Sequence, residues 1–212
     1  MKIKVILVDD HAVVRAGFRL LLTTSETIEV IAEAERGEQA VQLVQSNLTD
    51  VMVMDLSMPG MGGLEAIRRI SERNNQIKIL VFSVHDEQVY VNRAMQAGAK
   101  GYITKNSAPN ILTEAIQKIA NGERYIETGL IRNANQQQSE VTSKKVIDGL
   151  SSREFDVFLL LAKGLTVHKI ADELCLGYKT IANYSTQIKK KLQVSTIAEL
   201  AHIAISLELI NR

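Results

Sequence analysis

The apolar positions of the first 122 residues come in short runs separated by longer amphipathic stretches. Aliphatic and β-branched runs at Ile3–Val8, Ile28–Ala32, Val51–Met54, Ile77–Phe82 and Gly101–Ile103 predict five strands. Val13–Leu22, Glu38–Gln45, Leu64–Ser71, Glu87–Ala97 and Ala108–Asn121 predict the helices that alternate with them. Such alternation predicts a parallel sheet with helices on both faces. The strands are almost wholly apolar, as strands covered on both sides must be. Beyond residue 148 the strand pattern stops. Phe155, Phe158, Leu159 and Ala162 recur at helical spacing, as do Ile197, Leu200, Ala201 and Ala204. Between these, Ile170, Ala171 and Leu174 mark a short helix, and Ile181, Tyr184, Ile188 and Leu192 a longer one. Four short helices make a small all-α unit.

Between the two patterns lies Asn133-Ala134-Asn135-Gln136-Gln137-Gln138-Ser139, polar and of low complexity, which reads as a linker. The expected division is residues 1–122, a linker at 123–148, and residues 149–212. A length of 212 residues suits two small domains. With 46% hydrophobic and 23% charged residues, a disordered or collagen-like chain is excluded. The formal charge of +1 gives no global signal for nucleic acid, although residues 149–212 alone carry +2 and residues 1–124 carry −1. One cysteine, Cys175, permits no internal disulfide and suits a reducing compartment. Beside Leu174 and Leu176 it reads as a small buried hydrophobe. The apolar run at the start is too short for a signal peptide, and none approaches the ~18 residues of a membrane span. A cytoplasmic protein with no membrane contact is expected.

In a doubly wound sheet, ligands bind beyond the carboxyl ends of the strands. Asp9 and Asp10 follow the first strand, Asp55 the third, Ser83 closes the fourth and Lys105 follows the fifth. All should meet at one edge. Crowded carboxylates repel unless a cation intervenes, and Mg²⁺ with its preference for oxygen donors fits. Asp10 and Asp55 are the expected direct ligands, with Asp9 acting through water and the Ser57 carbonyl completing the set. A carboxylate can accept a phosphoryl group as an acyl phosphate. Asp55, ahead of the Met58-Pro59-Gly60-Met61-Gly62-Gly63 loop, is the expected acceptor. Mg²⁺ and Lys105 would neutralise the transferring group, and the Ser83 hydroxyl would hold one of its oxygens. Each residue also has an ordinary reading: Asp9 and Asp10 as caps of the next helix, Asp55 as a turn residue, Ser83 as a strand-end hydroxyl. A phosphatase with an aspartyl nucleophile wants a second acid at position 57, which is serine. Dinucleotide binding wants a glycine-rich turn after the first strand, where Asp-Asp-His stands.

Val8-Asp9-Asp10-His11, Val53-Met54-Asp55-Leu56-Ser57-Met58-Pro59-Gly60, Phe82-Ser83 and Gly98-Ala99-Lys100-Gly101-Tyr102-Ile103-Thr104-Lys105 closely resemble the receiver domain of two-component response regulators. The resemblance implies a flavodoxin-like fold with strand order 2-1-3-4-5, a histidine kinase as phosphoryl donor, Asp55 as acceptor and Mg²⁺ as cofactor. It also implies a switch in which the Ser83 hydroxyl moves to the phosphoryl group and Tyr102 turns inward. Asn106 stands where proline usually follows the lysine.

The predicted helix near Tyr178–Leu192 carries Lys179, Thr180, Asn183, Tyr184, Gln187 and Lys190, amides and charges suited to a DNA major groove. Lys179, Thr180, Asn183 and Gln187 share a broad face opposite Ile181 and Ile188. Lys189–Lys191 could meet phosphates, or could be a solvated helix end. Leu150-Ser151-Ser152-Arg153-Glu154, Leu161-Ala162-Lys163-Gly164-Leu165-Thr166, Lys169-Ile170-Ala171-Asp172-Glu173-Leu174, Lys179-Thr180-Ile181 and Lys190-Lys191-Leu192 look like the LuxR-type helix-turn-helix. With the receiver in front, the whole chain resembles the NarL/FixJ family of transcription regulators. Met58–Ala66, Met95–Ala99 and Gly122–Ile126 lean towards its GacA/UvrY-like branch, which implies control of small regulatory RNA genes. The resemblance implies a regulator rather than an enzyme, with the helical part released and dimerised on promoter DNA after phosphorylation. Departures fall in the reading helix: Ala182, Ser185 and Thr186 are small and uncharged where many members carry larger polar or basic residues. Gly177 replaces the usual serine cap, and His168 stands where the family is usually polar. The alternative is a receiver-controlled protein-interaction module whose helix-turn-helix binds no DNA.

Overall fold

The computed structural model describes residues 2–46, 49–107, 109–130 and 147–210. The chain forms two compact units, Met1–Ile131 and Arg132–Arg212. In the first, β1 (Ile3–Val8), α1 (Ala12–Thr23), β2 (Ile28–Ala34), α2 (Gly37–Ser46), β3 (Val51–Met54), α3 (Gly63–Arg73), β4 (Lys78–Ser83), α4 (Gln88–Ala97), β5 (Gly101–Thr104) and α5 (Pro109–Ala120) alternate as the apolar pattern predicts. The strands lie in the order 2-1-3-4-5, all parallel, and a sixth, β6 (Tyr125–Ile126), pairs with β5 at the edge. The expected five-stranded sheet therefore gains a short edge strand, built from residues assigned to the linker. Residues 131–146 of that linker lie outside the described residues.

Val51–Met54 and most of β1 and β4 are buried, which is why they read as unbroken apolar runs. One layer of the core joins Leu22, Ile28, Leu80, Phe82, Leu112, Ile116 and Ile119, with Phe18 packed edge-on against Phe82 at 4.6 Å.

In the second unit, α6 (Ser152–Ala162), α7 (Val167–Glu173), α8 (Tyr178–Leu192) and α9 (Ile197–Ser206) are the four expected helices. Their starts are set by capping. Ser151 with Glu154 and Thr196 with Glu199 form capping boxes, and Thr166 caps α7. Gly177 caps α8 without any side-chain bond. Phe155, Phe158, Ile170, Ile181, Ile188 and Leu200 fill the core.

Glu154 ties this unit together. Its carboxylate is buried, accepts the Ser151 N–H at 2.7 Å and pairs with Lys191 Nζ at 2.7 Å. Burial works against the charge, but the bonds from Lys191 and Ser151 outweigh it and hold the pKa below the ordinary 4.5. A lowered pKa contributes stability that is present above pH 4.5 and is lost as pH falls through the folded value. Glu154→Gln keeps the capping-box position but loses the ion pair with Lys191, and should therefore cost up to about 1 kcal/mol at neutral pH, a difference from wild type that should close below pH 4.5. Amide hydrogen exchange in α6 and α8 across that range measures it.

Candidate functional site

The carboxyl ends of β1, β3, β4 and β5 bring together the residues the sequence nominated. β1 lies between β2 and β3, so the strand order, though not the strand direction, reverses there, and the ends of β1 and β3 that carry Asp9 and Asp55 lie at this switch point. The backbone fixes the depth of each group: Asp9 N–H donates to Ala34 O, Asp55 N–H to Val8 O and Lys105 N–H to Ser83 O. Asp55 is only 2% exposed. Its Oδ1 accepts the N–H groups of Leu56 (2.7 Å) and Ser57 (3.3 Å), and its Oδ2 pairs with Lys105 Nζ at 2.7 Å. The same ammonium lies 2.5 Å from Asp9 Oδ2.

Burial pushes the Asp55 carboxyl up; the hydrogen bond and charge of Lys105 oppose it without cancelling it, and the Asp9 charge adds to the rise. For Lys105, burial opposes the charge, yet its two carboxylate partners prevail and the pKa stands above the ordinary lysine value. One cation thus compensates two buried acids, an arrangement set to change when further charge arrives.

Asp9, Asp10, His11 and Asp55 offer ligand atoms within 4.8 Å of one another. Asp10 Oδ1 is buried and accepts no hydrogen bond, although His11 Nδ1 lies 2.9 Å away in poor alignment. An orphaned carboxylate oxygen beside other hard donors is what a divalent cation would satisfy. Asp9 does not cap α1: His11 occupies that position, and Asp9 Oδ1 instead accepts the His11 N–H at 2.8 Å.

Ser83 is fully buried; its Oγ accepts the His85 N–H at 3.3 Å, and its hydroxyl also hydrogen-bonds to the Tyr102 side chain. Tyr102 is fully buried too, with its hydroxyl donating to the His85 carbonyl at 2.8 Å. The aromatic position is therefore turned inward. Sequence reasoning missed His85. Its Nε2 shares a 2.9 Å hydrogen bond with Ser57 Oγ, and its ring stacks on Tyr90 with centroids 3.9 Å apart. It joins the acceptor loop to Tyr102, and no motif marked it. Glu127 was missed as well. Its Oε2 accepts the Thr104 N–H (2.9 Å) and the Ser107 hydroxyl (2.6 Å), bracing the loop that carries Lys105.

The second nominated surface is α8. Lys179, Thr180, Asn183, Gln187 and Lys190 are exposed, Tyr184 is half-buried, and Ile181, Ile188 and Leu192 face the core. Lys191 does not belong with them, because its Nζ is held by Glu154 and the Gly149 carbonyl. Thr186 spends its hydroxyl on the Ala182 carbonyl at 3.0 Å. Cys175 corrects the sequence reading. It is exposed, because a left-handed step (φ 50°) in the α7–α8 turn swings it outward while Leu174 stays buried.

Residues 5–117 match the response regulator receiver domain, and residues 148–204 match the bacterial regulatory proteins of the luxR family. The response regulator UvrY of Escherichia coli K12 is 40% identical over 210 residues, covering 99% of this chain and 96% of that protein. The transcriptional activator protein ExaE of Pseudomonas putida is 40% identical over 209 residues, covering 98% of both. Among solved structures, RcsB of Salmonella enterica serovar Typhimurium, bound to promoter P1flhDC with the phosphomimetic BeF3⁻, superposes with TM-score 0.68 at 26% identity. That match covers 97% of this chain and 100% of the other. No helix among the described residues is long and apolar enough to cross a membrane.

Proposed function

Since the chain belongs to the NarL/FixJ family of two-component response regulators, we propose that Asp55 accepts a phosphoryl group from a partner histidine kinase and that α8 reads promoter DNA in response. The protein is a phosphorylation-dependent DNA-binding transcription regulator. The observation that carries the residue assignment is the single ammonium of Lys105 shared between Asp9 and Asp55 at the strand ends.

In the transfer, an Asp55 oxygen attacks phosphorus as the phosphorus–nitrogen bond of a phosphohistidine breaks, and the imidazole leaves with the electron pair. The Leu56 and Ser57 N–H groups orient the carboxylate for attack. Lys105 is close enough to move from the carboxylates onto the new phosphoryl oxygens, and the Ser83 hydroxyl would turn from Tyr102 to donate to one of them. Asp9, Asp10 and Asp55 would hold Mg²⁺, with the Ser57 carbonyl completing the protein's share. When bound, the ion neutralises charge on the transferring group. Loss of Lys105 from Asp9 and Asp55 alters the β5–α5 loop, and the population shifts to the active receiver. The stretch between Leu130 and Ile147 would serve as the linker, the helical unit would be released, and two copies would pair on two half-sites. Lys179, Thr180, Asn183, Tyr184, Gln187 and Lys190 are the proposed contacts.

Capture of genomic fragments by the full chain, with and without acetyl phosphate and Mg²⁺, tests this reading. A few promoters should be enriched only in the activated state. Their affinity should fall with salt on a log–log slope close to the number of phosphates contacted. Absence of enrichment in both states would favour the protein-interaction alternative.

A further inference from the structure

The first turns of α7 and α8 are joined by two exposed rings. His168 and Tyr178 pack with centroids 4.5 Å apart and planes tilted by 32°. Tyr178 is 50% exposed, an uncommon position for so large a ring. The surface around it is open: a Cβ added at Gly177 would meet only Thr180 Oγ1, at 3.7 Å. On α8, Ala182 and Ser185 follow Tyr178 at i+4 and i+7, so the three share one stripe beside the Lys179–Asn183–Gln187 face. Small residues in this stripe leave the ring standing clear of the helix. Lys169 and Lys179 flank the rings, and neither pairs with a carboxylate among the described residues. An apolar strip framed by free cations fits a polyanion that carries apolar groups in a groove. Duplex DNA is such a ligand, because the thymine C5-methyl projects into the major groove.

We infer that Tyr178, supported by His168 and continued by Ala182, packs against thymine methyl groups and sets base preference at the edge of the half-site. His168 acts as a positioning residue: its ring limits where the Tyr178 ring can lie. The inference rests on the DNA-binding reading above. It also gives the uncharged stripe a use, since apolar readout requires small, uncharged neighbours.

The test uses the full chain activated with beryllium fluoride and Mg²⁺. Duplexes selected from a randomised pool are resynthesised with deoxyuridine in place of single thymines, which removes only the methyl. At one or more positions, wild-type affinity should fall about fourfold, the worth of one buried methyl. Tyr178→Ala should bind the thymine duplex more weakly and be indifferent to the deoxyuridine change, with its salt slope unaltered. Tyr178→Phe should behave as wild type, and His168→Ala should show reduced discrimination. Equal sensitivity of wild type and Tyr178→Ala, or no sensitivity in wild type, would overturn the contact while leaving DNA binding intact. Failure to select any duplex would overturn it together with the reading it rests on.

Discussion

Asp55→Asn should abolish acyl-phosphate formation, lowering the rate of labelling by acetyl phosphate by about four orders of magnitude or more, as removal of a reacting nucleophile does. The fold should survive. Asn is nearly isosteric, its carbonyl oxygen can keep the Leu56 and Ser57 N–H bonds, and Lys105 retains Asp9 as its partner. The amide nitrogen must then face the ammonium, so the second carboxylate contact of Lys105 is lost. Intact-mass measurement after acetyl phosphate treatment checks the first outcome, and promoter binding before and after treatment checks its consequence. Full labelling of the variant would remove Asp55 from the mechanism and leave Asp9 or Asp10 as the acceptor.

Gly63→Ala should be nearly as damaging, by a different route. Gly63 begins α3, with its N–H bonded to the Leu56 carbonyl. A Cβ there would stand 2.0 Å from the Asp55 carbonyl oxygen and 2.7 Å from Leu56 Cα. Both are backbone atoms, so no side chain can swing away and the acceptor's own peptide must shift. Overpacking of this kind costs about 1–3 kcal/mol or more. The displacement falls on the residue whose carboxylate position decides transfer, and small misplacements of reacting groups cost disproportionately. Thermal unfolding should show the loss of stability, and acetyl phosphate labelling should show a larger proportional loss of rate. A variant that labels normally while unfolding earlier would separate the packing role of Gly63 from the placement of Asp55.

Much of the receiver was legible because its strands are buried on both faces and its chemistry is confined to strand ends. Asp9, Asp10, Asp55, Ser83 and Lys105 could be placed at one edge from their positions at the strand ends; the structure joins Asp9 and Asp55 through Lys105 and sets the Lys105 N–H on the Ser83 carbonyl. The Ser151–Glu154 and Thr196–Glu199 pairs carry capping-box spacing, a start signal that the apolar periodicity reading left unused. Other features left no such trace. A two-residue strand has no periodicity to detect, so Tyr125–Ile126 passed as linker, and Glu127 with it. The outward turn of Cys175 depends on a backbone step that the apolar neighbours Leu174 and Leu176 conceal. In the lysine run, successive residues rotate by about 100° around the helix. Lys191, three residues past buried Ile188, therefore lies towards Glu154 instead of joining Lys190 on the exposed side.

The short strand β6 also governs where the receiver can be divided from the rest of the chain. A fragment ending at residue 122 would strip β5 of its neighbour and leave Gly101 and Tyr102 on a bare, apolar sheet margin, the kind of edge that recruits strands from other molecules. It would also discard the Glu127 carboxylate that braces Thr104 and Ser107. A fragment ending at Leu130, whose N–H closes a turn onto the Glu127 carbonyl, keeps the margin sealed and the lysine loop anchored. Eight further residues thus separate a self-contained signalling module from a sticky one.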